Sequence, residues 1–380
     1  MPDNSTPLTT IEFTRHGGLV FLPVKVADND PLSFILETGA HPSIVDSDIA
    51  LELGLGHGAT STASGAGAGT AKLSVLENVS LQAGKVRVPK PLVIATPFEP
   101  LSRMTGHRTD GALGNDFIGR FVVSIDFASN QIDLYDPAFN PGEEFGEAIP
   151  VSVENGHALI DATLSLSDGR TITGRFAVDT GARPSAVLSA PFVDAHRLLD
   201  AVPKLYNVTG RGLVGTSEVP LGRVQSIRVG SFTIDEPVCG LSRDKTGAFA
   251  TQPWSGVIGN AIWQRFRMTI DYRRNRILLA PNESFNEREQ YDCSGLALVA
   301  EGSDLTTIRV QSVSPDSPAD RAGMKAGDDL TGITQLFGLE KVTDLTATRS
   351  ELQQPGQIRQ LWVSRRGVEM SFMIMTRELI

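Results

Sequence analysis

Glu37 and Asp179 are the two residues of this chain whose type and setting could perform chemistry together. One lies in Phe34-Ile35-Leu36-Glu37-Thr38-Gly39-Ala40, the other in Phe176-Ala177-Val178-Asp179-Thr180-Gly181-Ala182, and the two stretches share their Phe, Thr, Gly and Ala. Two carboxyl groups a few ångströms apart do not both ionise easily, so such a pair keeps one proton and titrates as a unit. It then holds a base to activate water and an acid to polarise a carbonyl, which amide hydrolysis needs when neither a metal nor a covalent nucleophile takes part. Neither carboxyl suffices alone. Glu37 is one methylene longer than its counterpart, and a misplacement of about 1 Å at a reacting group costs roughly 10²-fold in rate. Four accounts of Glu37 stand: an adjusted and active pair, a slowed one, a cleft that only binds, and an introduced change that quiets an Asp/Asp pair.

The elements that must position these residues are duplicated. The first motif repeats at an offset of 142, from 37 to 179, and the match runs on through Pro42/Pro184, Ser43/Ser185 and Val45/Val187. A second repeats at 145, from 114 to 259, pairing Gly114/Gly259, Asn115/Asn260, Arg120/Arg265, Phe121/Phe266, Ile125/Ile270, Asp126/Asp271, Asn130/Asn275 and Ile132/Ile277. Two motifs recurring in one order at nearly one spacing indicate a duplicated half. Apolar runs such as "GLVFLPVKV" and "HALIDATLSL" carry strand composition, and short helices are expected at "SDIALELGL", "NDFIGRF", "NAIWQRF" and "SAPFVDAHRLL". "PAFNPGEEFGE" between the halves reads as an exposed connector. The boundaries expected are 1–140 for a first lobe and 141–284 for a second.

A strand ending in Asp-Thr-Gly-Ala, followed about eighty residues later by two apolar residues and Gly, resembles the pepsin and retropepsin-like aspartic proteases. "FAVDTGA" with "VIGN" matches fully, and "FILETGA" with "ALGN" matches except at Glu37. The resemblance implies a mainly β fold of two related acid-protease lobes in one chain, with catalytic Asp179 and Glu37 meeting at the floor of a cleft. It implies that Thr38 and Thr180 bond across the lobe interface, that Gly39 and Gly181 allow the backbones to approach where a Cβ would collide, and that Ala40 and Ala182 complete the loops. These alanines lack the hydroxyl that pepsin-like members carry there, which predicts a less acidic rate optimum. Ala112-Leu113-Gly114 and Val257-Ile258-Gly259 would support the loops from behind.

Each half also has a glycine-rich stretch about thirty residues beyond its carboxylate, with Gly65, Gly67 and Gly69 in the first and Gly210, Gly212 and Gly215 in the second. In the family this resembles, a glycine-bearing hairpin closes over substrate; two of them give a retropepsin-like layout.

From 285 to 380 the character changes. "TIRVQSVSPDSPADRAGMKAGDDL" looks like the core of a PDZ domain, with Gly295-Leu296-Ala297-Leu298 resembling its carboxylate-binding loop. A PDZ domain binds by adding a peptide as an extra strand, so the resemblance implies recruitment or gating of polypeptide substrates. The leading expectation is an aspartic endopeptidase acting on polypeptides, with a peptide or C-terminal tail in the PDZ groove; the alternative is a peptide-binding pseudoprotease.

Composition narrows the rest. At 380 residues the chain is long enough for two or three domains. A net charge of −10 gives no basic footprint for nucleic acid, and "DYRRNR" at 271 to 276 reads as a solvated hairpin turn. Cys239 and Cys293 are the two cysteines, with no zinc spacing around them, and the six His are scattered. No metal or cofactor is expected. No apolar run approaches the roughly 18 residues that span a bilayer, and the first ten residues lack signal-peptide character. Both lobes lie in one chain, so a monomer is the default, and resemblance to bacterial PDZ proteases favours an exported over a cytoplasmic location.

Overall fold

The computed structural model describes residues 5–64, 70–212, 215–251, 253–335 and 338–380. It is mainly β, as expected. Two ten-stranded sheets share one strand order. In the first, Leu32–Leu36 lies between Leu19–Val26 and Gly111–Leu113, and Ser43–Asp46 follows on the far side of Gly111–Leu113. In the second, Thr171–Val178, His157–Ser165, Gly256–Ile258 and Ala186–Leu188 take the same places. The short central strands run parallel to the strand that carries each carboxylate, Leu113 opposite Leu36 and Ile258 opposite Val178, and antiparallel to the strand that leaves it. Buried on both faces, these strands are continuous apolar runs rather than alternating ones.

A six-stranded sheet joins the halves. Its order is Thr9–Glu12, Gln131–Tyr135, Val122–Asp126, Phe266–Asp271, Arg276–Pro281, Glu147–Pro150. The two middle strands are the copies that align at an offset of 145, and they meet antiparallel with Ser124 opposite Thr269, itself 145 residues on. The Thr269 hydroxyl donates to Ser124 Oγ at 3.0 Å in a buried position. Ser124 thus faces the position that the repeat alignment pairs with it.

Helices appear where three-and-four spacing predicts them: Ser47–Glu52, Asn115–Ile118, Asn260–Trp263, and Ala190–Ala195 with Leu198–Ala201. The Glu99–Thr105 helix escapes that pattern, because its sequence has no apolar stripe. Its ends were marked all the same, by a proline in the first turn and by Gly106 at the C-cap with φ +70°.

Two readings are corrected. The connector is only partly exposed: Phe139 is buried, stacking on Tyr135 at 4.5 Å between ring centroids and meeting Phe145 edge-on. The 271–276 turn is not simply solvated, since Asp271 is fully buried and takes Arg274 at 3.2 Å and Arg276 at 3.0 Å. A buried carboxylate needs such partners.

The C-terminal part forms its own sheet, in the order Leu296–Glu301, Thr307–Val313, Asp329–Gln335, Ile358–Arg365, Val368–Met375, with helices at Pro318–Ala322 and Leu345–Leu352. Its core, which includes Leu298, Ile308, Val310, Leu345, Leu361 and Val363, is separate from the core shared by the two large sheets. Among the described residues Leu296–Glu301 is an edge strand, paired with Thr307–Val313 alone.

Candidate active site

The strands Leu32–Leu36 and Thr171–Val178 end in the loops that carry Glu37 and Asp179. Each loop is tied to its supporting strand in the same way: Glu37 N–H donates to Leu113 O at 3.1 Å and Asp179 N–H to Ile258 O at 3.0 Å. The two loops then cross. Thr38 Oγ1 accepts from Thr180 N–H at 3.0 Å and donates to Val178 O at 2.8 Å, while Thr180 Oγ1 accepts from Thr38 N–H at 3.1 Å and donates to Leu36 O at 2.7 Å. Both threonines are fully buried, so each hydroxyl satisfies one donor and one acceptor that water cannot reach.

That crossing brings the carboxyls face to face. A Cβ on Gly39 would stand 2.6 Å from the Asp179 carboxyl, and one on Gly181 would stand 1.5 Å from Glu37 Oε2. The difference records the extra methylene, which drives the Glu37 carboxyl hard against the opposite loop. Asp179 Oδ1 accepts from Gly181 N–H at 2.9 Å and Ala182 N–H at 3.1 Å, whereas Glu37 Oε1 accepts from Gly39 N–H at 3.0 Å in its own loop. Desolvation at the cleft floor, then the charge of Asp179 and a hydrogen bond with it, hold the Glu37 carboxyl well above the usual carboxylate range. The amides of Gly39 and Gly181 oppose the shift without cancelling it. Burial and the neighbouring Asp179 thus both disfavour a charged Glu37.

Several neighbours of the pair were not picked out from the sequence. Asn115 Nδ2 donates to Thr38 O at 2.6 Å and to Gly156 O of the second sheet at 2.7 Å; reciprocally, Asn260 Nδ2 donates to Gly18 O of the first at 2.7 Å. Their signal was present, because the Asn after each apolar-apolar-Gly is one of the repeated positions. His41 packs on Gly156, where a Cβ would come 2.3 Å from its ring. His157 feels both Asp179 and His41, and its ring lies 5.4 Å from that of Trp254; burial lowers its pKa despite Asp179. Ser43 Oγ donates to Asp116 at 2.6 Å, whereas its counterpart Ser185 donates to Glu289 at 2.5 Å. Glu289 comes from a part of the chain with no repeat partner, so alignment of the halves could not reveal it.

Of the glycines expected to close over substrate, Gly65, Gly67 and Gly69 lie outside the described residues. Gly210 and Gly212 are in the strand Tyr206–Gly212, and Gly215 opens the strand Gly215–Arg223 with φ +123°, and these two strands pair antiparallel. Gly295 also has positive φ, +87°, and its amide donates to Asp292 Oδ2 at 2.6 Å; that of Leu296 donates to Ser294 Oγ at 3.1 Å. Ala297 and Leu298 continue into the edge strand. Cys239 and Cys293 are both free and buried. Among the described residues no group of three His, Cys, Asp or Glu could hold a metal ion, and no helix is long and apolar enough to cross a membrane.

Residues 22–117 match the family model for aspartyl protease. The matched stretch runs from within the strand Leu19–Val26 through Glu37, Gly114 and Asn115 into the helix behind them, and so covers most of the first ten-stranded sheet. Among solved structures, a retropepsin-like aspartic protease from Rickettsia conorii is similar at 20% identity, over 35% of this chain and 88% of that one, with a TM-score of 0.25. No curated protein matches the chain.

Proposed function

We propose that this protein is an aspartic endopeptidase whose dyad is Glu37 and Asp179, with lobes at 1–140 and 141–284 and a PDZ-like module at 285–380. The observation that carries the reading is the Thr38–Thr180 crossing, which holds two carboxyls within hydrogen-bonding reach of each other. A cleft that only binds has no use for that arrangement, since it raises the free energy of the empty site through like-charge proximity.

The division of labour follows from the asymmetry. Asp179 is the base: it takes a proton from a water lying between the carboxyls as the water oxygen bonds to the scissile carbonyl carbon. Glu37 gives its proton to the carbonyl oxygen, so the tetrahedral intermediate is a neutral gem-diol. Proton transfer from Asp179 to the amide nitrogen then breaks the C–N bond, and Glu37 recovers its proton as the new carboxyl forms. Atoms and protons balance with water as the sole co-reactant. The second hairpin, at Gly210, Gly212 and Gly215, and the stretch at Gly65, Gly67 and Gly69 would cover an extended polypeptide during this sequence.

The second reading is a peptide-binding pseudoprotease, favoured by the close approach of Glu37 to Gly181, which leaves that carboxyl little freedom to move. Cleavage of casein from pH 3 to 8 separates the two. Hydrolysis by the wild type that disappears in Asp179→Asn supports the enzyme; no hydrolysis by either the wild type or Glu37→Asp supports the binder.

A further inference from the structure

The strand edge of the C-terminal module at Leu296–Glu301, the one that the PDZ-like reading assigns to an added peptide, is already engaged from within the chain. Leu298, in the edge strand Leu296–Glu301, is opposite Val310, whose own N–H and C=O bond to Asp328 and Gly327 on the other side. The Leu298–Val310 pair is thus a non-hydrogen-bonded one, and the Leu298 carbonyl points to the free edge, where an added strand would supply its donor. Arg349, from the helix Leu345–Leu352, donates instead to Leu298 O at 2.7 Å and, with its other nitrogen, to Met104 O at 2.9 Å. Met104 is in the last turn of the Glu99–Thr105 helix of the first lobe, a position whose carbonyl has no partner inside the helix and which favours a cation.

The rest of this helix follows the same edge. Arg103 pairs with Glu301 at the end of the strand, Gly106 lies so close to Leu345 that a Cβ would come within 2.7 Å of it, and Gly17 N–H donates to Thr346 Oγ1 at 3.3 Å. The apolar cores on the two sides stay separate, so polar contacts do much of the joining. At the Arg103 end the seam is open, with a gap of about 330 Å³ lined by Glu99, Ser102, Arg103, Glu301, Gly302 and Leu305. Polar, partly open seams between domains part more readily than large apolar ones.

We propose that the peptide-adding edge of the C-terminal module is occupied by the first lobe, and that an extended peptide binds there only after Arg349 and the Glu99–Thr105 helix have withdrawn. The inference rests on the PDZ-like reading of 285–380. Withdrawal reaches the dyad, because the chain leads from this helix to Gly111–Leu113, whose last carbonyl holds the Glu37 amide. Peptide binding at the module and the state of the cleft are then coupled, and the coupling is reciprocal.

The test uses the full chain carrying Asp179→Asn, so that nothing is cleaved, and a pool of fluorescein-labelled randomised nonapeptides, with binding read by anisotropy. Arg349→Met removes the clasp, and Arg103→Glu sets like charges against each other at the open end of the seam, where folding tolerates it if the first variant does not. If the closed state outweighs the open one about tenfold, each folded variant binds the pool about tenfold more tightly than the parent. Equal affinity in parent and folded variants, or no binding by any of them, overturns the proposal. Neither outcome bears on catalysis, which casein hydrolysis by the chain with Asp179 intact tests separately.

Discussion

Replacing Thr38 by Val removes one hydroxyl and leaves the side-chain shape nearly unchanged. The Thr180 amide loses its acceptor at 3.0 Å and the Val178 carbonyl loses its donor at 2.8 Å, both in a region closed to water. An orphaned buried polar group costs about 1–3 kcal/mol, so the two together cost about 2–6 kcal/mol. That is a large share of the roughly 5–15 kcal/mol by which folded domains exceed their unfolded chains. The melting temperature should fall by about 2–4 °C for each kcal/mol, given lobes of this size. Rate should suffer more than stability. The crossing fixes one loop against the other, and a shift of about 1 Å between the carboxyls costs roughly 10²-fold. The assay is kcat/KM on a quenched-fluorescence casein substrate at a temperature where calorimetry finds the variant fully folded. Thr38→Ser, which keeps the oxygen, should recover most of both losses. A folded Thr38→Val protein within about threefold of wild-type kcat/KM would refute the argument that the crossing aligns the dyad.

Three further outcomes are expected. The folded pKa of Glu37 is raised, so the stability it contributes is fully present below the ordinary Glu value and is lost as pH rises through the raised one; the melting temperature of the wild type relative to Glu37→Gln should therefore decline with rising pH, and a flat difference across pH 4 to 8 would contradict the shift. Asn115→Ala should slow hydrolysis more than Asn260→Ala, because Asn115 ties both Thr38 O and Gly156 O while Asn260 ties Gly18 O alone; the comparison is kcat/KM of the two single variants. Asp271→Ala should destabilise the protein by about 1–3 kcal/mol by removing a buried acceptor from Arg274 and Arg276, which keep Ala138 O, Asn140 and Pro141 O, measured by urea unfolding, with little change in kcat/KM of the folded fraction.

What could be read from the sequence was whatever the duplication wrote twice. Glu37 and Asp179, the two threonines, the two close-approach glycines and the strands behind them stand in both halves at matched spacing, and the structure brings them together. Asn115 and Asn260 were equally visible as repeated letters, but their task is to reach the opposite sheet, and periodicity within one half carries no information about the other. His41 and His157 converge from a loop of one half and a strand end of the other, and Glu289 replaces on one side what Asp116 does on the other, so neither arrangement has a linear signature. The Glu99–Thr105 helix is short, polar and stabilised by what it touches, notably Arg349, 245 residues away from Met104. Asp271 looked like the start of a charged turn because its burial depends on the joining sheet and not on its neighbours in sequence.

Because the halves meet within one polypeptide, with Ser124 facing Thr269, the two sides of the cleft are free to differ. An assembly of two identical subunits would have to place the same acid on both, and any lengthening of one carboxyl would be copied onto the other. Glutamate opposite aspartate is a heterogeneity that a single chain permits. It makes the two sides of the site chemically distinct before any substrate arrives, so an approaching peptide meets two different acids instead of two copies of one.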